Sequence, residues 1–261
     1  MICRLCKGDH FKVYYTQGDH NQFIFYQCSK CNLVNYDASA GVNQEKYAEV
    51  FLDPFDEKCK KNRGQTQSWS FIKRHIPARG KLLDIGCGNG RLLYLANENG
   101  FQVKGIEMSP YLAESVSKKL GIEIITTDFL NYKSLQDRFD LIVLRHVLEH
   151  LPDPVMALNK IGSLLSENGY AVLEFPNIES LNLKFKKLLS KYGLYQKRYS
   201  PDYLPGHWNE FSRKSFQYLA SLTGFQIIVW QTYSYKKISN FFYRYIKVGN
   251  KVRTIIKKKN D

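Results

Sequence analysis

Three groups of residues in this sequence have the types and spacing to do chemistry. The first is Leu82–Gly90, LLDIGCGNG, where an acid, Asp84, precedes three alternate glycines, Gly86, Gly88 and Gly90. Such a turn lets backbone N–H groups approach a ligand closely. Glu107 closes the next apolar run, where a carboxylate suits the two hydroxyls of a ribose. Asp128 and Phe129 close a third run and offer an acceptor for an adenine amino group with a ring beside it. A nicotinamide-dinucleotide fold would carry G-x-G-x-x-G, and GCGNG departs from that spacing.

The second group is Cys3-x-x-Cys6 and Cys28-x-x-Cys31. Two such knuckles complete a tetrahedral four-thiolate zinc site with no open position, so the metal would be structural. A redox reading explains one pair but not two. His10 and His20 are then surplus, and Cys59 and Cys87 receive no chemical role. The third group is histidine-rich: His146, Glu149 and His150 read H-x-x-E-H, and His207 follows in PGHWNEF. The first pattern also matches a zinc-peptidase motif, but here it follows a strand edge inside a nucleotide-binding pattern. Imidazoles there can serve as general bases, His207 first and His150 second. The plainer alternatives are a hydrogen-bonded Glu149–His150 pair and a His207 that packs on Trp208.

The elements that must position these groups alternate. Apolar runs at 82–85, 101–107, 122–130, 138–154 (with a polar edge), 168–177 and 225–235 read as strands, with helices expected over 91–99, 110–119 and 154–166. Ser212 suits the N-cap of a further helix ending at Gly224. The alternation predicts an α/β, Rossmann-like, doubly wound, mainly parallel sheet with a small N-terminal zinc-ribbon module. Residues 1–40 form the ribbon, a hairpin turning at GDHNQ, too small to build a core without its metal. Residues 41–79 form a helical linker that lids the cofactor, with two helices expected within 42–77. Residues 80–235 form the main domain and 236–261 a basic amphipathic tail. A seventh strand is not evident. Instead Phe241, Phe242, Tyr245, Ile246, Val248, Val252, Ile255 and Ile256 alternate with Lys and Arg at nearly helical spacing.

The D-x-G-x-G-x-G turn, Glu107, Asp128 and HVLEHLPDP together resemble the class I S-adenosylmethionine-dependent methyltransferases, over roughly residues 80–232. The resemblance implies that Gly86, Gly88 and Gly90 cradle the methionine part of S-adenosyl-L-methionine. It assigns Glu107, with Met108 beside it, to the ribose and Asp128 with Phe129 to the adenine. Asp84 orients the turn or the cofactor's amino group, and Leu144, Arg145 and His146 lie near the sulfonium. Ubiquinone-pathway O-methyltransferases resemble the HVLEH region and place an acidic pair and a histidine there that can hold a divalent metal. Here His146 stands at the first acid. The ribbon joined to this domain is similar to bacterial methyltransferases of polysaccharide and nucleotide-sugar biosynthesis, which implies a sugar or glycan hydroxyl as acceptor, lipid-linked or nucleotide-linked. The other readings are an rRNA or tRNA methyltransferase and a non-catalytic zinc-ribbon adaptor. Against the first stands the lack of an N-P-P-[YF] motif, and against the second the intact Asp84, Glu107 and Asp128.

Charge narrows the partners. The chain has 261 residues and a net charge of +14. Residues 181–198 carry six Lys/Arg and no acid, and residues 236–261 carry nine with one acid, which accounts for the whole excess. A localised positive surface suits an anionic membrane or, less favoured, nucleic acid. No apolar run approaches the roughly 20 residues of a membrane span. Paired CxxC motifs fit a reducing compartment, so the expected location is the cytoplasm, peripheral on the inner membrane face.

Overall fold

The computed structural model describes residues 1–43, 50–77, 79–133, 136–195, 197–200, 202–234 and 249–259. Phe11–Gln17 (β1) and Phe23–Cys28 (β2) pair as an antiparallel hairpin, and Val34–Tyr36 (β3) extends it. In the expected lid, the described residues hold one helix, Lys60–His75 (α1), where two were anticipated. The chain before it is held in turns: the Asp53 and Asp56 carboxylates accept from the N–H groups of Phe55 (2.9 Å) and Lys58 (2.8 Å).

Lys81–Ile85 (β4) is an interior strand of a seven-stranded sheet. Its apolar residues face both ways, Leu82 into one core cluster and Leu83 into the other, so helices must cover both faces. Arg91–Asn97 (α2), Gln102–Glu107 (β5), Pro110–Leu120 (α3), Ile124–Thr126 (β6) and Phe139–Arg145 (β7) follow. Pro154–Leu164 (α4) then leads into Leu165–Pro176 (β8). Ser109 and Asp153 cap α3 and α4 with a proline at the first turn of each. After Leu181–Lys191 (α5) come Asn209–Glu210 (β9), Arg213–Leu222 (α6), Phe225–Tyr233 (β10) and Lys251–Lys258 (β11). The strand order is β10-β11-β8-β7-β4-β5-β6, parallel from β6 through β8.

Two expectations are corrected. Residues 251–258 are no amphipathic tail: they form the missing seventh strand, antiparallel to both β8 and β10. Val252, Ile255 and Ile256 are buried there, because an interior strand buries both faces. The expected tail residues Phe241, Phe242, Tyr245, Ile246 and Val248 lie outside the described residues. The ribbon, in turn, is not self-contained. β9, from the main domain, pairs with β3 as its fourth strand, and Cys3, Leu5, Cys28, Cys31 and Leu33 join the main core cluster.

Candidate active site

A cavity of about 790 Å³ opens at the carboxyl ends of the strands, where ligands bind in sheets of this kind. One half is built from the residues that directly follow β4, β5 and β6. Gly86 and Gly88 adopt φ of +69° and +58°. A Cβ on Gly86 would meet Val147 Cγ2 at 2.5 Å, whereas one on Gly88 would meet nothing within 4 Å. Glu107 accepts from the Gly88 N–H (2.9 Å) through Oε2 and from the Ser109 N–H (3.1 Å) through Oε1. Asp128 Oδ1 accepts from the Leu130 N–H (2.8 Å) and so starts the short turn that carries Phe129. Met108, Asp128 and Phe129 all line this half. Asn89, inside the glycine turn, donates to Asn62 of α1 (2.6 Å) and accepts from Gln65 (2.9 Å), which staples the lid helix to the loop.

The other half gathers distant segments. His146, itself at φ +57°, lies between Glu149 (Nδ1 to Oε1, 3.3 Å) and Lys251 of β11 (Nε2 to Nζ, 2.8 Å). An ammonium can only donate, so Nε2 accepts from Lys251 and the Nδ1 proton points to Glu149. His150 Nδ1 donates to the Gly206 carbonyl (2.7 Å), and His207 Nδ1 donates to Glu210 Oε1 (3.3 Å). The His150 and His207 rings meet edge to face with centroids 4.9 Å apart.

These neighbours split the two imidazoles. Burial lowers the pKa of His150. Burial acts the same way on His207, but the Glu210 hydrogen bond and the charges of Glu149 and Glu210 outweigh it and raise the pKa. Burial pushes the Glu149 carboxyl up, yet its bond to His146 and the nearby imidazoles hold it below the usual value. Its Oε2 is buried with no hydrogen-bond partner among the described residues.

Beneath the cavity, Glu174 of β8 sits directly opposite Arg145 of β7 and Arg253 of β11. The contacts are 3.2 Å to Arg145 Nε and 3.0 Å to Arg253 Nε, the second a charge contact without hydrogen-bond alignment. Tyr233 donates to the same carboxylate (2.8 Å). Burial disfavours the charged form of Glu174, but the two guanidiniums bring its pKa down to about 2. Asp84 goes the other way: burial raises it to about 7, against the pull of Arg145 and with help from Glu107 and Glu174.

A family model described as a methyltransferase domain matches residues 59–229, more than half of the chain. The chain belongs to the methyltransferase-domain family. It is 30% identical over 105 residues to a ubiquinone biosynthesis O-methyltransferase of Coxiella burnetii, covering 38% of this chain and 45% of that relative. The chain thus spans less than half the length of that curated relative. The fold matches the PH0226 protein of Pyrococcus horikoshii with a TM-score of 0.60 and 16% identity, over 83% of this chain and all of that one. It also matches a magnesium protoporphyrin IX methyltransferase from Synechocystis, solved with bound S-adenosylhomocysteine (TM-score 0.57, 15% identity, 82% and 92% covered).

For a methyltransferase domain the expected donor is S-adenosylmethionine, and the first half of the cavity fits it. Open space over Gly88 and carboxylates at the ends of two adjacent strands suit a nucleoside with a short polar tail. Of the residues expected to touch it, Gly86, Gly88, Glu107, Met108, Asp128, Phe129 and Arg145 line the cavity. Gly90, Leu144 and Asp84 do not. Gly90 (φ +76°) backs onto Val116 and Leu120 of α3, Leu144 is fully buried in the core, and Asp84 lies beneath the turn. The histidines His146, His150 and His207 all face the cavity. Sequence reasoning missed Lys251, Glu210, Gln65, Lys60 and Lys61. Glu174 held a usable signal: an acid inside AVLEFP needs a buried cation, and KVRTII supplies one.

The four ribbon cysteines form a separate cluster, with ligand atoms within 4.8 Å of one another. Cys3 and Cys31 are 3.5 Å apart, Cys6 and Cys28 3.4 Å, close to the roughly 3.8 Å edge of a tetrahedron with 2.3 Å zinc–sulfur bonds. A hydrogen bond from Cys31 brings Cys3 down to about 4, toward the thiolate a metal needs. Lys7 and Asn32, each following the second cysteine of its pair, take φ of +56° and +64°, so the two knuckles turn alike. The ribbon also reaches the cavity: Tyr15 of β1 donates to Glu210 (2.8 Å), the residue that holds His207.

Proposed function

We propose that this protein transfers a methyl group from S-adenosylmethionine to a hydroxyl oxygen of a sugar or glycan, with His207 as general base. The observation that carries this reading is that His207, held by Glu210 behind it, faces the same cavity as Glu107 and Asp128. S-adenosylmethionine supplies a methyl group already activated on a sulfonium. The chain has to align the acceptor, exclude water and take one proton. His207 accepts the hydroxyl proton at Nε2 while Glu210 fixes the ring and stabilises the imidazolium. His150, kept neutral by burial, accepts a neighbouring hydroxyl, and Lys251 with His146 borders the same space. Glu107 binds the ribose, Asp128 and Phe129 the adenine, and Asp84 faces the methionine end through the turn.

A polyhydroxylated acceptor agrees with the lining. Apart from Phe129, no Phe, Tyr or Trp lines the cavity among the described residues, while three imidazoles, Glu149 and Lys251 do. The name of the Coxiella relative, an O-methyltransferase, agrees with oxygen as the acceptor atom. The ribbon takes a structural zinc, supported by its four-thiol geometry, and metal analysis should return about one zinc per chain. The decisive assay is transfer of labelled methyl into cell extract, separated into nucleotide-sugar, organic-soluble, RNA and protein fractions. Label in a sugar-bearing fraction is expected. RNase-sensitive label would overturn the sugar reading, and no label with calorimetrically silent S-adenosylhomocysteine would remove the methyltransferase reading.

A second reading rests on Glu149, His150 and His207, whose ligand atoms lie within 4.8 Å of one another. Two imidazoles and a carboxylate suit zinc, iron or manganese, and an ion there would acidify an acceptor hydroxyl. Activity that survives exhaustive chelation supports the imidazole base over the ion.

A further inference from the structure

We infer that α5 is an interfacial helix that docks the protein on an anionic lipid surface. The helix is capped by Ser180, whose hydroxyl accepts from the Leu183 N–H (3.3 Å). Leu181, Phe185, Leu188 and Tyr192 recur at spacings of four, three and four residues, so they fall in one narrow stripe. That stripe faces out: the four are 48%, 60%, 52% and 67% exposed, and Leu194 just beyond is 74% exposed. The opposite side is already used. Leu183 packs against the cluster of Phe23, Phe25 and Ile178, and Lys187 donates to the Tyr14 carbonyl (3.3 Å).

The charge on this segment selects the partner. Lys184, Lys186, Lys187, Lys191, Lys197 and Arg198 occur without an acid between Glu179 and Asp202. On the helix wheel Lys184 and Lys191 fall together along one edge of the stripe. A row of Leu and Phe edged by lysines fits a bilayer containing anionic lipid, where acyl chains take the apolar side chains and headgroups the ammonium groups. RNA would satisfy the lysines and leave four apolar side chains against phosphate and sugar. A protein partner would need an acidic rim around an apolar groove, and the exposed lysines then match only one rarer geometry.

The helix also lies close to the acceptor half of the cavity. Lys187 Nζ sits 5.0 Å from the centroid of the Tyr15 ring, Tyr15 donates to Glu210, and Glu210 holds His207. On the sugar-acceptor reading above, which this clause alone rests on, a docked molecule would receive an acceptor carried on a lipid.

Vesicle flotation tests the inference without any activity assay. Full-length protein should float with phosphatidylcholine vesicles containing phosphatidylglycerol and only weakly with phosphatidylcholine alone. Phe185→Asp with Leu188→Asp should weaken that binding by about tenfold or more, and Lys184→Gln with Lys191→Gln by several-fold, with the salt sensitivity reduced. Lys184, Phe185 and Leu188 are exposed, and unchanged circular dichroism and S-adenosylhomocysteine binding check the fold. Equal flotation of the wild type and the Asp variant would overturn the inference. So would absence of vesicle binding, displacement from vesicles by RNA homopolymer, or a solution dimer that the Asp variant abolishes.

Discussion

The two halves of the cavity are built by opposite strategies. On the donor side, each wall residue directly follows the strand that aims it: Gly86 and Gly88 after β4, Glu107 ending β5, Asp128 and Phe129 after β6. On the acceptor side, the wall is drawn from α1, the turn after β7, the end of β8, the loop before β9 and the start of β11, five segments far apart in the chain. The first arrangement is fixed by backbone geometry, and the second by long-range packing and buried charge. The donor half should therefore tolerate little change in backbone, while the acceptor half should fail through its supports.

The largest effect is expected at the donor side. Gly86→Val places a branched side chain at φ +69° against Val147, and S-adenosylhomocysteine affinity in calorimetry should fall by about 100-fold or more. Wild-type affinity would break the contrast. Next is the charge rung below the acceptor side. Glu174→Gln leaves Arg145 and Arg253 buried without their counter-charge, at about 3–5 kcal/mol. A thermal melt should shift down by roughly 10 °C. The sign with pH follows from the pKa, which is about 2 in the folded chain against an ordinary 4.5. The stabilisation is complete above the ordinary value and disappears as pH falls to about 2. The variant should lose that acid-limb dependence.

His207→Ala should lower kcat by about 10²–10⁴ and leave S-adenosylhomocysteine binding unchanged, since it touches only the acceptor half. Glu210→Gln should be milder. The base works unprotonated, so kcat/KM rises with pH through the pKa of His207, which Glu210 raises. Removing that charge moves the rising limb to lower pH, while poorer ring orientation lowers the plateau by about tenfold. Tyr15→Phe should lower the plateau by a few-fold through a less firmly held Glu210, without moving the limb to lower pH, which would make the ribbon a support of the base. A plateau and limb that ignore both substitutions would separate ribbon from site.

The same contrast explains what could be read from the residues. The donor half was legible because each of its groups sits within a few residues of an apolar run, so order along the chain is order along the sheet. Gly90 lies off the cavity wall, where an added Cβ would meet Val116, a distinction that spacing cannot make. The acceptor histidines were found by type, but Glu210 and Lys251 were not, because nothing in NEF or NKVR says what lies opposite. β11 escaped for a related reason. Val252, Ile255 and Ile256 fall at helical intervals, and Arg253 and Thr254 between them look solvent-facing although both are buried. A strand interior to a sheet can hide a cation if a neighbour supplies the anion, and Glu174 does.

The position of β11 also sets an order of events during synthesis. It lies between β8 and β10, yet it follows both in the chain. Until it emerges, β10 has no described sheet neighbour, Glu174 has only Arg145 as a cation, and His146 lacks Lys251. The donor half draws its wall residues from 81–131, a local βαβαβ unit. The acceptor half cannot be complete before residue 251 is in place. A nascent chain would thus gain its nucleoside pocket well before it gains its full acceptor site.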